Sequence, residues 1–231
     1  MRLDKLLAHV GYGTRKEVKK LIRQKEVYVN GVVVTKDDFK VDETKDKITI
    51  YDEEVVYQKY VYIMLNKSAG YISTTVDEQY PTVIDLIAEY YVDLAPVGRL
   101  DLDTEGLLLL TNDGQFSHQI TSNKRNVSKV YYLELESEFD STYISEIEAG
   151  IWLNDEEQAL PAKVEVINEN SLYLTITEGK FHQVKRMMHT CQNEVTYLKR
   201  IKIGNLSLDE ELEVGDYRFL TEEEKVAALG K

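Results

Sequence analysis

The chain has 231 residues, enough for one large domain or two smaller ones, and its 43% apolar and 30% charged content describes a globular protein with a real core. No apolar run approaches the roughly 18 residues of a membrane helix, the N-terminus M-R-L-D-K-L-L-A-H-V-G lacks the apolar core of a secretory signal, and the single cysteine, Cys191, excludes an internal disulfide and a cysteine-rich zinc site. The net charge of −13 argues against a general polyanion binder, and a cytoplasmic, monomeric protein is the expectation.

The charge is unevenly spread. Residues 1–25 carry eight basic side chains against two acids, a local +6 that leaves −19 on the other 206 residues. Such asymmetry marks a nucleic-acid-binding segment, because charges act over about a Debye length, roughly 8 Å at physiological salt. Within it, Leu3, Leu6, Leu7 and Val10 recur at helical spacing and Gly11-Tyr-Gly13 ends that helix. Thr14 opens a second helix, with Glu17 completing a T-x-x-E capping box. Val18, Leu21 and Ile22 share one face of it, and Lys16, Lys19, Lys20 and Arg23 fall on the other. A uniformly basic face repels itself, so a phosphate partner is the reading preferred over mere solvation. Residues 27–34 form a hairpin about Asn30-Gly31.

A strand is predicted at 47–51 and a linker at 52–59, giving a small domain over 1–51 and a larger one over 60–231. In the larger domain a strand over 60–66 turns at Lys67-Ser-Ala-Gly70 into a returning strand over 71–75, and Pro81 leads a helix with Val83, Ile84 and Ile87 inward. Residues 98–114, G-R-L-D-L-D-T-E-G-L-L-L-L-T-N-D-G, join a dense polar segment to a run of four leucines that must be buried. Beyond it come a helix at 115–121, a strand at 131–135, a helix at 140–150, strands at 162–166 and 172–177, a helix at 183–191, a strand at 197–203 and a final helix capped by Thr221. Helices scattered among hairpin-linked strands give an α+β fold with a mixed, mostly antiparallel sheet.

The four histidines are too dispersed for a ligand set, and no H-E-x-x-H, phosphate-binding glycine loop or G-x-S-x-G motif is present. Cys191 lies on the apolar face of its helix, as a packing residue does. Carboxylates remain. Asp101 and Asp103 share a face if the segment is extended and could act as a glycosidase pair, or one of them, with Thr104, could simply shape a turn. Arg99 could pair with Asp101.

Two helices, the second basic, followed by V-Y-V-N-G-V-V-V resemble the small RNA-binding domain first seen in ribosomal protein S-four. That likeness implies docking on structured RNA. In the larger domain, G-R-L-D-L-D-T-E-G-L-L-L-L-T-N-D-G resembles the signature of the RsuA/RluA superfamily of pseudouridine synthases. Three more matches follow in order: Y-I-M-L-N-K-S-A-G at 62–70, Lys129-Val-Tyr131, and E-G-K-F-H-Q-V-K-R-M at 178–187. The resemblance implies isomerisation of a uridine in ribosomal RNA without cofactor or metal: the N1–C1′ bond breaks, the uracil turns, and C5 joins C1′. It implies Asp101 as the essential carboxylate, acting at C1′, C6 or C2′; Lys185 as the cation that keeps it ionised; Tyr131 stacked on the extruded base; and Arg99 in the vacated space or on phosphate. His182, Gln183 and Arg186 join Lys16, Lys19, Lys20 and Arg23 as RNA-binding candidates. Departures are Lys185 where many relatives have Arg, Ser68 at the usual proline of the 62–70 motif, and Asn123 where proline often follows T-S. F-S-H-Q-I-T-S at 116–122 resembles the small-subunit branch, so 16S rRNA is the expected target. A 23S rRNA enzyme and a non-catalytic assembly factor are the alternatives.

Overall fold

The computed structural model describes residues 1–55 and 57–231. The chain divides into two compact units, Met1–Val61 with Ala88–Leu94, and Tyr62–Ile87 with Ala95–Lys231.

In the smaller unit, α1 (Leu3–His9) and α2 (Arg15–Arg23) precede β1 (Val27–Val29), β2 (Val32–Val33), β3 (Ile48–Ile50) and β4 (Glu53–Glu54), in sheet order β2-β1-β3-β4. The capping box forms as the spacing predicts: the Thr14 side chain accepts from the Glu17 amide while Glu17 accepts from Thr14 N–H at 2.7 Å. Leu3, Leu6, Leu7, Val18, Ile22 and Val27 are fully buried in one core with Ile48 and Ile50. Of the predicted linker, Glu53–Glu54 pairs with β3 and Val55 is buried in this core, while Val56 lies outside the described residues.

The larger unit is a nine-stranded sheet. Its strands are β5 (Tyr62–Lys67), β6 (Ala95–Pro96), β7 (Glu105–Thr111), β8 (Lys129–Leu135), β9 (Lys163–Asn168), β10 (Ser171–Ile176), β11 (Val195–Ile203), β12 (Leu206–Ser207) and β13 (Tyr217–Phe219). They run β13-β5-β7-β11-β8-β10-β9, with β12 on β11 and β6 on β7. Helices α3 (Gly114–Thr121), α4 (Ile144–Ala149), α5 (Gln183–Thr190) and α6 (Glu222–Ala228) complete the unit. Among the described residues the β7–β11 pair is parallel and the other pairs of this sheet are antiparallel, as the mixed, mostly antiparallel expectation requires. Leu107 to Leu110 are all inaccessible to solvent. Since successive strand residues face opposite ways, β7 is covered on both faces, which explains an unbroken apolar run where a half-exposed strand would alternate.

Two predicted elements are absent. Residues 71–75 make a single bridge, Ile72 to Thr82, instead of a strand. Residues 81–87 are successive turns instead of a helix: the Asp85 carboxylate accepts from the Thr82 amide and hydroxyl at 2.7 and 2.9 Å, and Val83 N–H donates to the Ile72 carbonyl. The Asp85 and Ile87 amides close three-residue turns on the Thr82 and Ile84 carbonyls in place of a helical run, although Val83 and Ile87 are still buried.

Gly106 decides how closely β7 and β11 approach. It pairs with Arg200 at φ +95°, and a Cβ there would overlap the Arg200 carbonyl oxygen. Gly106→Ala is therefore expected to destabilise the fold by about 2–4 kcal/mol, read from denaturant midpoints.

Candidate active site

Residues 98–104 form the loop that enters β7, and their backbone is held from beneath. Lys67, the last residue of β5, is fully buried, and its ammonium donates to the carbonyls of Thr104 (2.7 Å), Ser68 (3.0 Å), Asp101 (3.1 Å) and Leu102 (3.3 Å). Burial pushes this lysine down to about 8, against the attraction of Asp103, Glu105 and Asp101. The Ser73 hydroxyl clamps Leu100 from both sides, donating to its carbonyl at 2.8 Å and accepting from its amide at 3.0 Å. Gly70 N–H donates to the Leu102 carbonyl at 2.8 Å, and Thr104 N–H to the Asp101 carbonyl at 3.1 Å. The loop is thus a fixed turn, the kind of support a reacting side chain needs.

Above this turn lies a cavity of about 370 Å³, within the range of small-molecule sites. Arg99, Asp101, Thr104, Lys129, Tyr131, His182, Gln183 and Arg200 contribute to its wall. The Asp101 carboxylate stands 3.6 Å from His182 Nε2 and 3.8 Å from Lys185 Nζ. Lys185 makes its short contacts elsewhere, at 2.6 and 2.7 Å to the two oxygens of Asp103. Burial alone would raise the Asp103 carboxyl, but the hydrogen bond and charge of Lys185 outweigh it and hold the group below the usual range. The two aspartates therefore part company: Asp103, its side chain 69% exposed, holds the lysine, and Asp101 lines the cavity with no short side-chain contact among the described residues. No ion pair joins Arg99 to Asp101 among the described residues; Arg99 is exposed along the cavity wall.

The segment 178–187 divides its labour. Glu178 is buried, accepting from Leu160 N–H at 2.6 Å and from the Gln183 amide at 3.0 Å. Gln183 also accepts from Lys180 N–H at 2.9 Å, so its side chain is committed to the protein. Arg186 pairs with Glu157 at 2.7 Å and donates to the Phe181 carbonyl. Those two RNA-binding candidates thus shape the segment. His182 and the exposed Phe181 face outward, their rings stacked at 3.8 Å. His182 adopts φ +48°, a left-handed conformation that starts α5.

Tyr131 is buried on β8, directly across from Arg200 on β11, and its hydroxyl accepts from Arg200 Nη1 at 3.4 Å. Sequence reading singled out neither Arg200 nor the Lys67 clamp. Cys191 is buried and its thiol is pushed up to about 12 by burial, in keeping with a packing role.

In the smaller unit the basic face is less uniform than its spacing promised. Arg2 and Arg15 pair with the buried Asp4 at 3.0 and 3.1 Å, and Lys19 and Arg23 lie 3.6 and 3.3 Å from Asp37. Burial would raise Asp4, but the two arginines hold it down. Lys16 and Lys20 are exposed, with no acidic partner among the described residues.

A β7 loop carrying a carboxylate into a cavity walled by a tyrosine and basic residues suits an enzyme that acts on RNA, and the smaller unit carries a basic helix face. Comparison with known proteins agrees. Residues 61–190 match the RNA pseudouridylate synthase family model and residues 1–48 the S4 domain model. The ribosomal small subunit pseudouridine synthase A of Vibrio cholerae serotype O1 is 43% identical over 100% of both chains. An uncharacterized RNA pseudouridine synthase of Bacillus subtilis is 46% identical over 97% of this chain and 96% of its own. A crystal structure of a pseudouridylate synthase, 39% identical, superposes with a TM-score of 0.70 over 99% of each chain. The chain belongs to the RNA pseudouridylate synthase family, with an S4 domain at its N-terminus; it is an isomerase acting on RNA.

Proposed function

We propose that this synthase isomerises a specific uridine of 16S rRNA. The observation that carries the target is the end-to-end likeness to the small-subunit enzyme of Vibrio cholerae, which includes the RNA-binding domain as well as the catalytic one. The protein then works in the cytoplasm, as a monomer, on rRNA or an assembling small subunit.

In this reading Asp101 is the reacting carboxylate. Its freedom from short polar contacts among the described residues leaves both oxygens available, with Lys185 Nζ 3.8 Å away. Tyr131 stacks on the extruded base, offsetting part of the few kcal/mol that extrusion costs. Arg99, exposed on the cavity wall, fills the vacated position in the RNA or holds phosphate, and His182 lines the same cavity.

The test is incubation of rRNA carrying tritium at uridine C5, since the new C5–C1′ bond releases it. Release from 16S transcripts or small-subunit precursors is expected; release from 23S rRNA alone would move the target, and none from either would overturn the activity. Mapping the modified position completes the assignment.

Of the basic helix, Lys16 and Lys20 are the phosphate-binding pair, because Lys19 and Arg23 already share Asp37. Neutralising Lys16 and Lys20 is expected to flatten the salt dependence of RNA binding by about 0.7–0.9 in log–log slope for each phosphate no longer neutralised. The same change at Lys19 and Arg23 should do less, and equal effects would reject this division.

A further inference from the structure

The cavity contains a charged group that none of these roles uses. Arg200 is only 4% exposed; its Nε donates to the Leu107 carbonyl at 2.8 Å and its Nη1 to the Tyr131 hydroxyl at 3.4 Å, while Nη2 has no acceptor. Four buried side-chain polar atoms lack a partner among the described residues, and two of them, Arg200 Nη2 and Thr104 Oγ1, belong to residues that line this cavity. No carboxylate pairs with Arg200 among the described residues. Lys129, two residues before Tyr131, lines the same cavity without an acceptor for its ammonium among the described residues, and burial followed by the charge of Arg200 pushes it down to about 8. A buried donor left unpaired is costly, so a fold that retains one beside a cavity is built for a ligand that supplies the acceptor.

The position says which part of the substrate that is. Phosphates stay with the RNA backbone at the rim, whereas an arginine nine-tenths buried meets the group that enters deepest, the extruded base. Uracil offers two carbonyl oxygens. When the N1–C1′ bond breaks, its electron pair remains with the base and spreads onto those oxygens. The same anion then forms the C5–C1′ bond, C5 gives up its proton and N1 gains one, so the product is an isomer and nothing external is consumed. This holds whether Asp101 acts at C1′, C6 or C2′. The carbonyl oxygens are most negative only while the base is detached, and a donor placed on one of them binds that state more tightly than the starting uridine.

We propose that Arg200 is a catalytic residue whose free Nη2 donates to a carbonyl oxygen of the extruded uracil and stabilises the base while it is detached from the ribose, with Lys129 adding positive field from the adjacent strand. The inference rests on the synthase reading. Arg200→Gln is expected to lower kcat by about 10²–10³-fold with little change in KM, and Arg200→Lys to lower it less. An RNA with a single 2-thio- or 4-thiouridine at the mapped position supplies the second arm, because sulfur is the weaker acceptor. One of the two substitutions should slow the wild-type enzyme by about tenfold, and that penalty should vanish in Arg200→Gln. An equal penalty in both enzymes overturns the inference. So does a wild-type enzyme indifferent to both thiouridines, a result that needs no variant to fold. A wild-type enzyme that releases no tritium from ordinary rRNA overturns the synthase reading instead, which keeps the two failures distinct.

Discussion

Asp101→Asn is expected to lower isomerisation by at least about 10⁴-fold while leaving the fold and RNA affinity almost unchanged. The amide has nearly the carboxylate's shape but can neither attack nor accept a proton. No side-chain hydrogen bond is removed, since among the described residues the Asp101 carboxylate makes only the 3.6 and 3.8 Å approaches of His182 and Lys185. Lys185 keeps its partner in Asp103. Single-turnover tritium release, filter binding and a melting curve measure the three quantities separately. Retained turnover would remove Asp101 from its role. Asp103→Asn is the internal control: that side chain lies on the exposed side and serves Lys185, so its loss should be far milder, and equal losses would make the two aspartates a joint unit.

Lys67→Met is the second large effect, and it reaches both stability and rate. Methionine matches the shape but leaves the carbonyls of Asp101, Leu102 and Thr104 without the ammonium they share. The Asp101 and Leu102 carbonyls keep the Thr104 and Gly70 amides, but each hydrogen bond to the charged ammonium is worth about 1.5–3 kcal/mol, partly offset because a buried charge disappears, so a net loss of about 2–4 kcal/mol is expected. With the turn released, misplacement of Asp101 should cost at least about 10²-fold in kcat. The linkage to pH has a definite sign. Lys67 titrates near 8 when folded and near 10.5 when unfolded, so the penalty for its burial is complete below pH 8 and is relieved as pH rises toward 10.5. Wild-type protein should therefore gain on the Lys67→Met variant by up to about 3 kcal/mol across that window. Denaturant unfolding of both proteins at pH 7 and pH 10 gives the difference, and a gap that widens in the variant's favour would contradict it.

Most of the scaffold was legible because its signals are local. A T-x-x-E box, an Asn-Gly turn and four successive leucines each constrain the chain within a few residues, and all three behave as their chemistry requires. Residues 71–87 were misread because their donors go to side chains and to a distant carbonyl, which periodicity does not register. Composition alone could not tell Asp101 from Asp103; in the structure Lys185 bonds Asp103 and stands 3.8 Å from Asp101. Lys67 and Arg200 were missed for one reason, that lysine and arginine are ordinarily exposed. Arg200 sits in L-K-R-I-K, where alternation sets it on the side of Leu198 but equally sets Ile201 on the side of Lys199, and an irregularity between Arg200 and Lys202 blurs the register further. Only the convergence of strands remote in sequence shows which cation is inside.

The Lys67 clamp carries an implication for how such an enzyme can change. Its ammonium reads carbonyl oxygens, which every amino acid possesses, so the clamp is indifferent to the side chain displayed at 102. Position 102 can be exchanged without touching the clamp, whereas Asp103 is bound to Lys185. The path of the backbone is thereby set apart from one of the side chains it displays, and that side chain can drift while the path stands still.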